Sequence, residues 1–480
     1  MTVIFIGYLA LTLGLGLWQS LKTKTQSDFV LGSSKLPGWM LALSERATGE
    51  SAWLLLGLTG FVYSTGLSGI WTCVGCLLGI STAWIVLARK FRREAKQYNA
   101  MTMPEYFSAK FKHKANTIRI LSTIIIVFFF IFYVGAQFAG AGKTIFKTFG
   151  LDPFWGMLIA AAIILIYATA GGFISVVAVD TLQSLLMITT LIITPVIMLV
   201  LVFKEPVSIG EALRQAGGGR LSLTGGLTGF GAGLLIFNNI AWFFGYLGGQ
   251  PQLNARFMGM RDDRQVKIGR NIAVGWTALA YTGVVVIGVS AVVLFGPNAV
   301  TDPEMILPHI LTHLFPGWLA AILLAGAVAA MISTAQSMLL VASSSISQDV
   351  YNGIIKKGKA EDRRLLLLSR TATLGIGLLG LILALTTSEL IYYIVSYAWA
   401  GIGCSFAPAV LLSFYWDRFS SKGVVTALST GLITTIVWIL TGLDSEVTAR
   451  AVTFIAAIGL AVLVTLLSKD KKTDPLNLKD

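Results

Sequence analysis

The sequence predicts an all-α, polytopic membrane protein. Three observations carry that prediction: an unusually apolar composition, thirteen apolar runs of near-spanning length, and basic residues gathered on one side of those runs. Of the 480 residues, 55% are hydrophobic and only 12% are charged, with a mean hydropathy of +0.78. A soluble chain of this length would fold as a few domains with polar surfaces. Runs of ~20 apolar residues match instead a hydrocarbon core ~30 Å thick. The candidate spans run at about 1–20, 37–62, 69–88, 120–141, 154–171, 182–203, 227–247, 271–295, 316–345, 371–387, 390–414, 424–442 and 449–467. Residues 1–20 lack a basic leading stretch and a small-residue cleavage site, so they read as the first span and not as a signal peptide.

The net charge of +13 is explained by where it sits. With the amino terminus outside, 29 of the 36 Lys and Arg residues fall on the inner side, six on the outer side, and one, Arg46, within a span. The loop 89–119 alone carries Arg89, Lys90, Arg92, Arg93, Lys96, Lys110, Lys112, Lys114 and Arg119. This asymmetry is the positive-inside pattern and faces anionic lipid, so no nucleic-acid partner is expected. No loop is long enough to hold a catalytic domain, and the expected inner tail, 468–480, is short. Cys73, Cys76 and Cys404 lie in apolar runs, and the Cys73–Cys76 pair has no second cluster to complete a metal site. His309 and His313 are four residues apart in an outer loop and lack a third ligand. The spans hold no paired histidines and no nucleophile–base constellation, which argues against an enzyme.

Two spans look interrupted. The second contains Glu45-Arg46-Ala47-Thr48-Gly49-Glu50-Ser51, three charges in an otherwise apolar run. The seventh ends in Gly245-Tyr246-Leu247-Gly248-Gly249-Gln250-Pro251, where three glycines and a proline should unwind a helix. Irregular backbone at mid-bilayer persists only where it lines a protein cavity. Broken helices five spans apart, at corresponding places, point to two inverted repeats around a midplane site. Those repeats would be 37–203 and 227–414, with 1–36 and 415–467 peripheral and 204–226 an outer loop. Span nine carries Ala330 and the pair Ser333-Thr334. These hydroxyls either bond back along their own helix or join freed carbonyls in holding a hard cation. Glu50 either pairs with Arg46, four residues before it, or stands on a cation path. Asp180 either caps a helix starting at Thr181 or guides an ion at the inner mouth.

Further motifs accompany these segments: Ser51-Ala52-Trp53-Leu54-Leu55-Leu56-Gly57-Leu58, Met101-Thr102-Met103-Pro104-Glu105-Tyr106-Phe107, Tyr133, Gly171-Gly172-Phe173 and Asp180-Thr181-x-Gln183. Gly249-Gln250-Pro251, Arg256-Phe257-Met258, Ser343-Ser344-Ser345 and Asp349-Val350-Tyr351 complete the set. With them the sequence resembles the sodium–solute symporter family, and within it the bacterial sodium/proline symporters. The resemblance implies a LeuT-type 5+5 core in the plasma membrane, with the carboxyl terminus cytoplasmic. It implies Na⁺-coupled import of a small amino acid such as proline, with no obligatory protein partner. Carried over position by position, the Na⁺ site falls on the carbonyls of Ala47, Glu50 and Ala330 and the hydroxyls of Ser333 and Thr334. The substrate pocket falls on Trp53, Tyr133, Trp242, Tyr246 and Pro251, with Ser51 on the unwound stretch. The chain departs from the proline symporters at Gly49, where they carry an acid, and at Glu50, where they are neutral. It also has one more residue between Tyr246 and Gly249-Gln250-Pro251. A proton-coupled symporter for another small organic acid, with Glu50 carrying the proton, and a transporter-like sensor remain as alternatives.

Overall fold

Helices account for all the regular secondary structure among the described residues of the computed structural model, 2–21, 23, 25–32, 36–387 and 389–468. The expected cytoplasmic tail beyond Ser468 lies outside them. Ten helices are long and apolar enough to cross a bilayer, or eleven if the bent pair Gly229–Tyr246 and Pro251–Met258 is taken as one span. The difference from thirteen has two sources. Expected spans two and three form one helical stretch, Gly38–Gln97, which turns at Gly66, where φ is 68°. A side chain at Gly66 would meet the Arg220 carbonyl at 2.2 Å, so glycine is needed there for space as well as for its backbone angle. Expected span five is the helix Pro153–Ala170, whose apolar portion is short for a span.

The sixth and eighth spans begin earlier than hydropathy suggests, the eighth because its charged first turn projects beyond the apolar run. The eighth starts at Asp263, with the Asp262 carboxylate accepting from the Gln265 N–H. The sixth starts at Phe173, directly after the extended Gly172. Asp180 therefore lies well inside that helix and is not the cap of one starting at Thr181. Arg256, expected in an inner loop, is instead a fully buried member of the helix Pro251–Met258.

Burial separates the centre from the rim. The apolar windows of Gly317–Ile355 and Ile391–Tyr415 are 83% and 89% buried, against 22% for Thr2–Ser20 and 33% for Ser421–Leu440. Small residues make the central helices possible, since backbones approach closely only where side chains are short. The helix Gly317–Ser344 is rich in Ala, Gly and Ser and packs on Phe173–Val202, Ala115–Phe149 and Gly38–Ala52. The bent seventh span is held between glycine faces: a Cβ on Gly75 would meet the Ile240 carbonyl at 2.5 Å, and one on Gly249 the Gly403 carbonyl at 1.9 Å.

Gly249→Ala should therefore destabilise the protein by at least ~1–3 kcal/mol through overpacking. Gly14→Ala, on a helix face with nothing within 4 Å, should be neutral or gain up to ~1 kcal/mol from helix propensity. Thermal unfolding midpoints of the two variants in detergent measure the contrast.

Candidate functional site

The break in the second span falls at Ser51, whose φ of 47° and ψ of −168° lie outside the helical region. A break at this depth frees backbone groups that no water can satisfy, so side chains must. The Ala52 N–H donates to the Gln137 Oε1 at 3.0 Å, and the Trp53 N–H to the Ser51 Oγ at 3.1 Å. The Ser51 hydroxyl also meets the Tyr133 hydroxyl at 3.0 Å. Tyr133 and Gln137 are one turn apart on Ala115–Phe149, so a single helix face braces the break. The chain then continues as a π-helix, Trp53–Leu58, a widened form that recurs at functional sites. The second break, at Leu247–Gly248, has Gly248 at φ 73°, and the Asn254 side chain donates to the Gly248 carbonyl at 2.7 Å.

Between the two breaks lies a cluster of buried rings. Trp53 and Trp242 are 4.3 Å apart at their centroids, and Tyr246 is 4.1 Å from Trp399. Tyr392 stacks on Trp53 at 6.3 Å and accepts from the Trp242 Nε1 at 3.3 Å. Trp53, Tyr133, Trp242 and Tyr246 are all at most 3% exposed, so none faces lipid. The Trp53 indole N–H is buried with no hydrogen-bond partner, a donor held ready inside an apolar wall. Pro251 opens the helix Pro251–Met258 and lines a small cavity with Thr102, Met103, Ser344 and Ser345. Trp399, Tyr281 and Tyr392 belong to the cluster and were missed, because nothing in their local sequence distinguishes them from ordinary membrane aromatics.

Span nine meets the break from the opposite side. The Thr334 hydroxyl donates to the Thr48 carbonyl at 2.9 Å and lies 3.4 Å from the Ala47 carbonyl. Ser333 and Ala330 are fully buried on the same helix, and the Ser333 hydroxyl has no hydrogen-bond partner. The Glu50 carbonyl accepts from the Trp53 N–H at the break. Hydroxyls and helix-end carbonyls converging in a dry region form the kind of oxygen set that suits a hard cation. Thus Ala47 and Thr334 are brought together directly, with Ser333 beside them.

The charged residues form two separate networks. Arg46 is fully buried between two carboxylates. Its Nε donates to the Glu45 Oε2 at 2.6 Å and its NH1 to the Glu50 Oε1 at 2.6 Å. The Trp84 Nε1 holds Glu45 at 3.0 Å, and the Tyr281 hydroxyl holds the other oxygen of Glu50 at 2.8 Å. The Glu50 side chain thus makes the pair with Arg46, one of its two expected roles, and through Tyr281 it reaches the ring cluster. In the second network, Arg256 NH2 bonds Asp180 at 3.0 Å, Thr48 at 3.1 Å and Ser337 at 2.6 Å. Asp180 also accepts from the Ser44 hydroxyl at 2.6 Å. This ion pair joins the sixth and seventh spans to the residue, Thr48, whose carbonyl Thr334 bonds.

Breaking a buried ion pair by removing one partner costs ~3–5 kcal/mol, because the other charge is stranded. Arg46→Gln leaves two carboxylates without their cation and should abolish folded protein in the membrane. Glu50→Gln leaves Arg46 paired with Glu45 and should fold. The double variant Arg46→Gln/Glu50→Gln should recover part of the yield lost in Arg46→Gln. Monodisperse yield after detergent extraction measures all three, and equal yields of the single variants would contradict the network.

Comparison with known proteins agrees with this geometry. The profile of the sodium:solute symporter family matches residues 29–431. An osmoregulated proline transporter of Bacillus subtilis is 31% identical over 459 residues, covering 94% of this chain and 92% of that protein. A sodium/proline symporter of Salmonella typhimurium is 33% identical over 445 residues, covering 91% and 85%. Among solved structures, a Na⁺-coupled sialic acid symporter in a substrate-bound outward-open state superposes with a TM-score of 0.81 over 98% of each chain, at 17% identity. The chain has the same LeuT-type fold. A family profile spanning most of the length, relatives above 30% identity and two broken helices facing a hydroxyl-bearing span lead to one conclusion: this chain belongs to the sodium:solute symporter family.

Proposed function

We propose that this protein is a Na⁺-coupled symporter that imports L-proline, or an amino acid of similar size, across the bacterial plasma membrane by alternating access. The observation that carries the proposal is the Thr334 hydroxyl set against the Ala47 and Thr48 carbonyls across the broken second span. Na⁺ is held by the carbonyls of Ala47, Glu50 and Ala330 and the hydroxyls of Ser333 and Thr334. Binding there draws the two helices together and fixes the geometry of the break, which raises affinity for the substrate. The substrate lies against Trp53, Tyr133, Trp242 and Tyr246. Aromatic walls suit its apolar ring, while the freed backbone around Ser51 meets its charged ends. Pro251 acts from the inner side of the second break. Asp180 acts with Arg256, fixing Thr48 beside the ion.

The work available matches the task. One elementary charge moving through ~100 mV yields ~2.3 kcal/mol, enough for a concentration ratio of ~50-fold. The basic loops support an orientation with the amino terminus outside and the carboxyl terminus in the cytoplasm. The protein performs no chemistry on its cargo.

Thr334→Ala removes one oxygen ligand and should raise the Na⁺ concentration for half-maximal proline uptake about tenfold, a loss of ~1.4 kcal/mol. Unchanged Na⁺ dependence in a normally expressed Thr334→Ala protein would refute the ion assignment.

A further inference from the structure

Two of the motifs, Met101–Phe107 and Asp349–Tyr351, play no part in the transport site described above. They meet each other at the end of the bundle that carries the basic loop 89–119. There the helix Gly317–Ser344 widens into a π-helix, Ser345–Ile355. The wider turn sets Ser344, Ser345 and Asp349 along one face. Asp349 is completely buried. Its Oδ1 accepts from the Thr102 hydroxyl at 2.6 Å, whereas its Oδ2 has no hydrogen-bond partner. Thr102 is held in place by a second role: its oxygen accepts from the Glu105 N–H at 3.1 Å and caps the helix Met103–Lys110.

Among the described residues this carboxylate has no ion-pair partner, and the nearest cation acting on it is Arg119. Arg119 donates to the Asp349 backbone carbonyl at 3.4 Å and to the Ser108 hydroxyl at 2.8 Å, and not to the Asp349 side chain. Glu105 also faces Asp349 and adds negative charge. Its own oxygens go to the Met101 N–H at 2.8 Å and the Gln348 Nε2 at 3.4 Å. Nearby, the Ser344 hydroxyl is buried without a hydrogen-bond partner, and the buried Ser345 hydroxyl is set against the Asp349 carboxylate. Thr102, Ser344 and Ser345 line one cavity with Pro251. The cavity has room for one small occupant.

A buried carboxylate with one idle oxygen is costly unless something positive meets it. Thr102 and Ser345, which meet this carboxylate, also line the cavity with Ser344, and oxygens gathered beside a space for one small particle match the demands of a hard cation. We propose that Asp349, with the hydroxyls of Thr102, Ser344 and Ser345, forms a second Na⁺ site at the inner end of span nine, where the ion is held before release. The proposal rests on the Na⁺-coupled reading above. The two sites lie on one helix, at Thr334 and Asp349, so an ion leaving the first moves along a single helix face past Pro251 to the second.

Equilibrium binding of ²²Na⁺ to the purified full-length protein tests this. The wild type should bind two ions per chain. Asp349→Asn should bind one, and Thr334→Ala should further weaken the binding that Asp349→Asn retains. Ser345→Ala keeps the carboxylate and should weaken the inner class of binding several-fold, so the test survives a failure of Asp349→Asn to fold. An unchanged isotherm in folded Asp349→Asn would overturn the inner site while leaving the Na⁺ reading intact. Unchanged Na⁺ binding with a shifted pH profile of uptake would overturn it too, since Asp349 would then hold a proton. A wild type that binds no Na⁺ would overturn the Na⁺ reading itself, and the inner site with it.

Discussion

Where a helix breaks inside a bilayer, its exposed N–H and C=O groups must find partners in the protein, and the rest of this structure is arranged around that requirement. Around Ser51, Gln137 and the serine's own hydroxyl, itself held by Tyr133, take up the freed groups on one side, and Thr334 takes carbonyls on the other. These partners come from the second span itself, from the helix Ala115–Phe149 and from the helix Gly317–Ser344. The break is therefore stable only when the fourth and ninth spans are both in place against the second. A ligand that competes for those carbonyls and hydroxyls acts directly on how the helices pack. This links ion binding to a change of shape, because few groups at the break can move without releasing another.

The charged residues obey the same constraint. Arg46 sits between Glu45 and Glu50, and Arg256 joins Asp180, Thr48 and Ser337. Both networks attach to the broken second span, one towards the ring cluster through Tyr281 and the other towards the hydroxyl-bearing ninth span. Buried pairs of this kind add little net stability but penalise every arrangement that separates them. Their place here is to fix the register of the second span against its neighbours. The glycine contacts along Gly75, Gly249 and Gly403 serve the same end by sterics, admitting backbone where any side chain would collide.

Much of this was legible in the sequence because the informative features are local. A glycine-rich run ending in proline and a cluster of charges in an apolar span each mark a break without knowledge of the fold. The pair Ser333-Thr334 in an alanine-rich span marks a hydroxyl face, and the structure brings Thr334 to the break. The Arg46–Glu50 pair follows from helical spacing alone. What was not legible is non-local. Asp180 and Arg256 are 76 positions apart, and neither neighbourhood names the other. Trp399, Tyr281 and Tyr392 look like any aromatic in a membrane helix until the fold sets them beside Trp53, Trp242 and Tyr246. The start of the sixth helix was misplaced for a related reason, as a carboxylate near the end of an apolar run reads as a boundary. Its partner Arg256 is what allows Asp180 to lie inside the helix.

The central claim is that a Na⁺ gradient drives amino-acid uptake through this site. The most direct measurement is uptake of labelled proline by the purified protein in proteoliposomes, with an inward Na⁺ gradient, an inward proton gradient, or neither. Accumulation above the external concentration with the Na⁺ gradient alone is the predicted result. Accumulation driven by protons without Na⁺, or proline uptake indifferent to both gradients, would contradict the account.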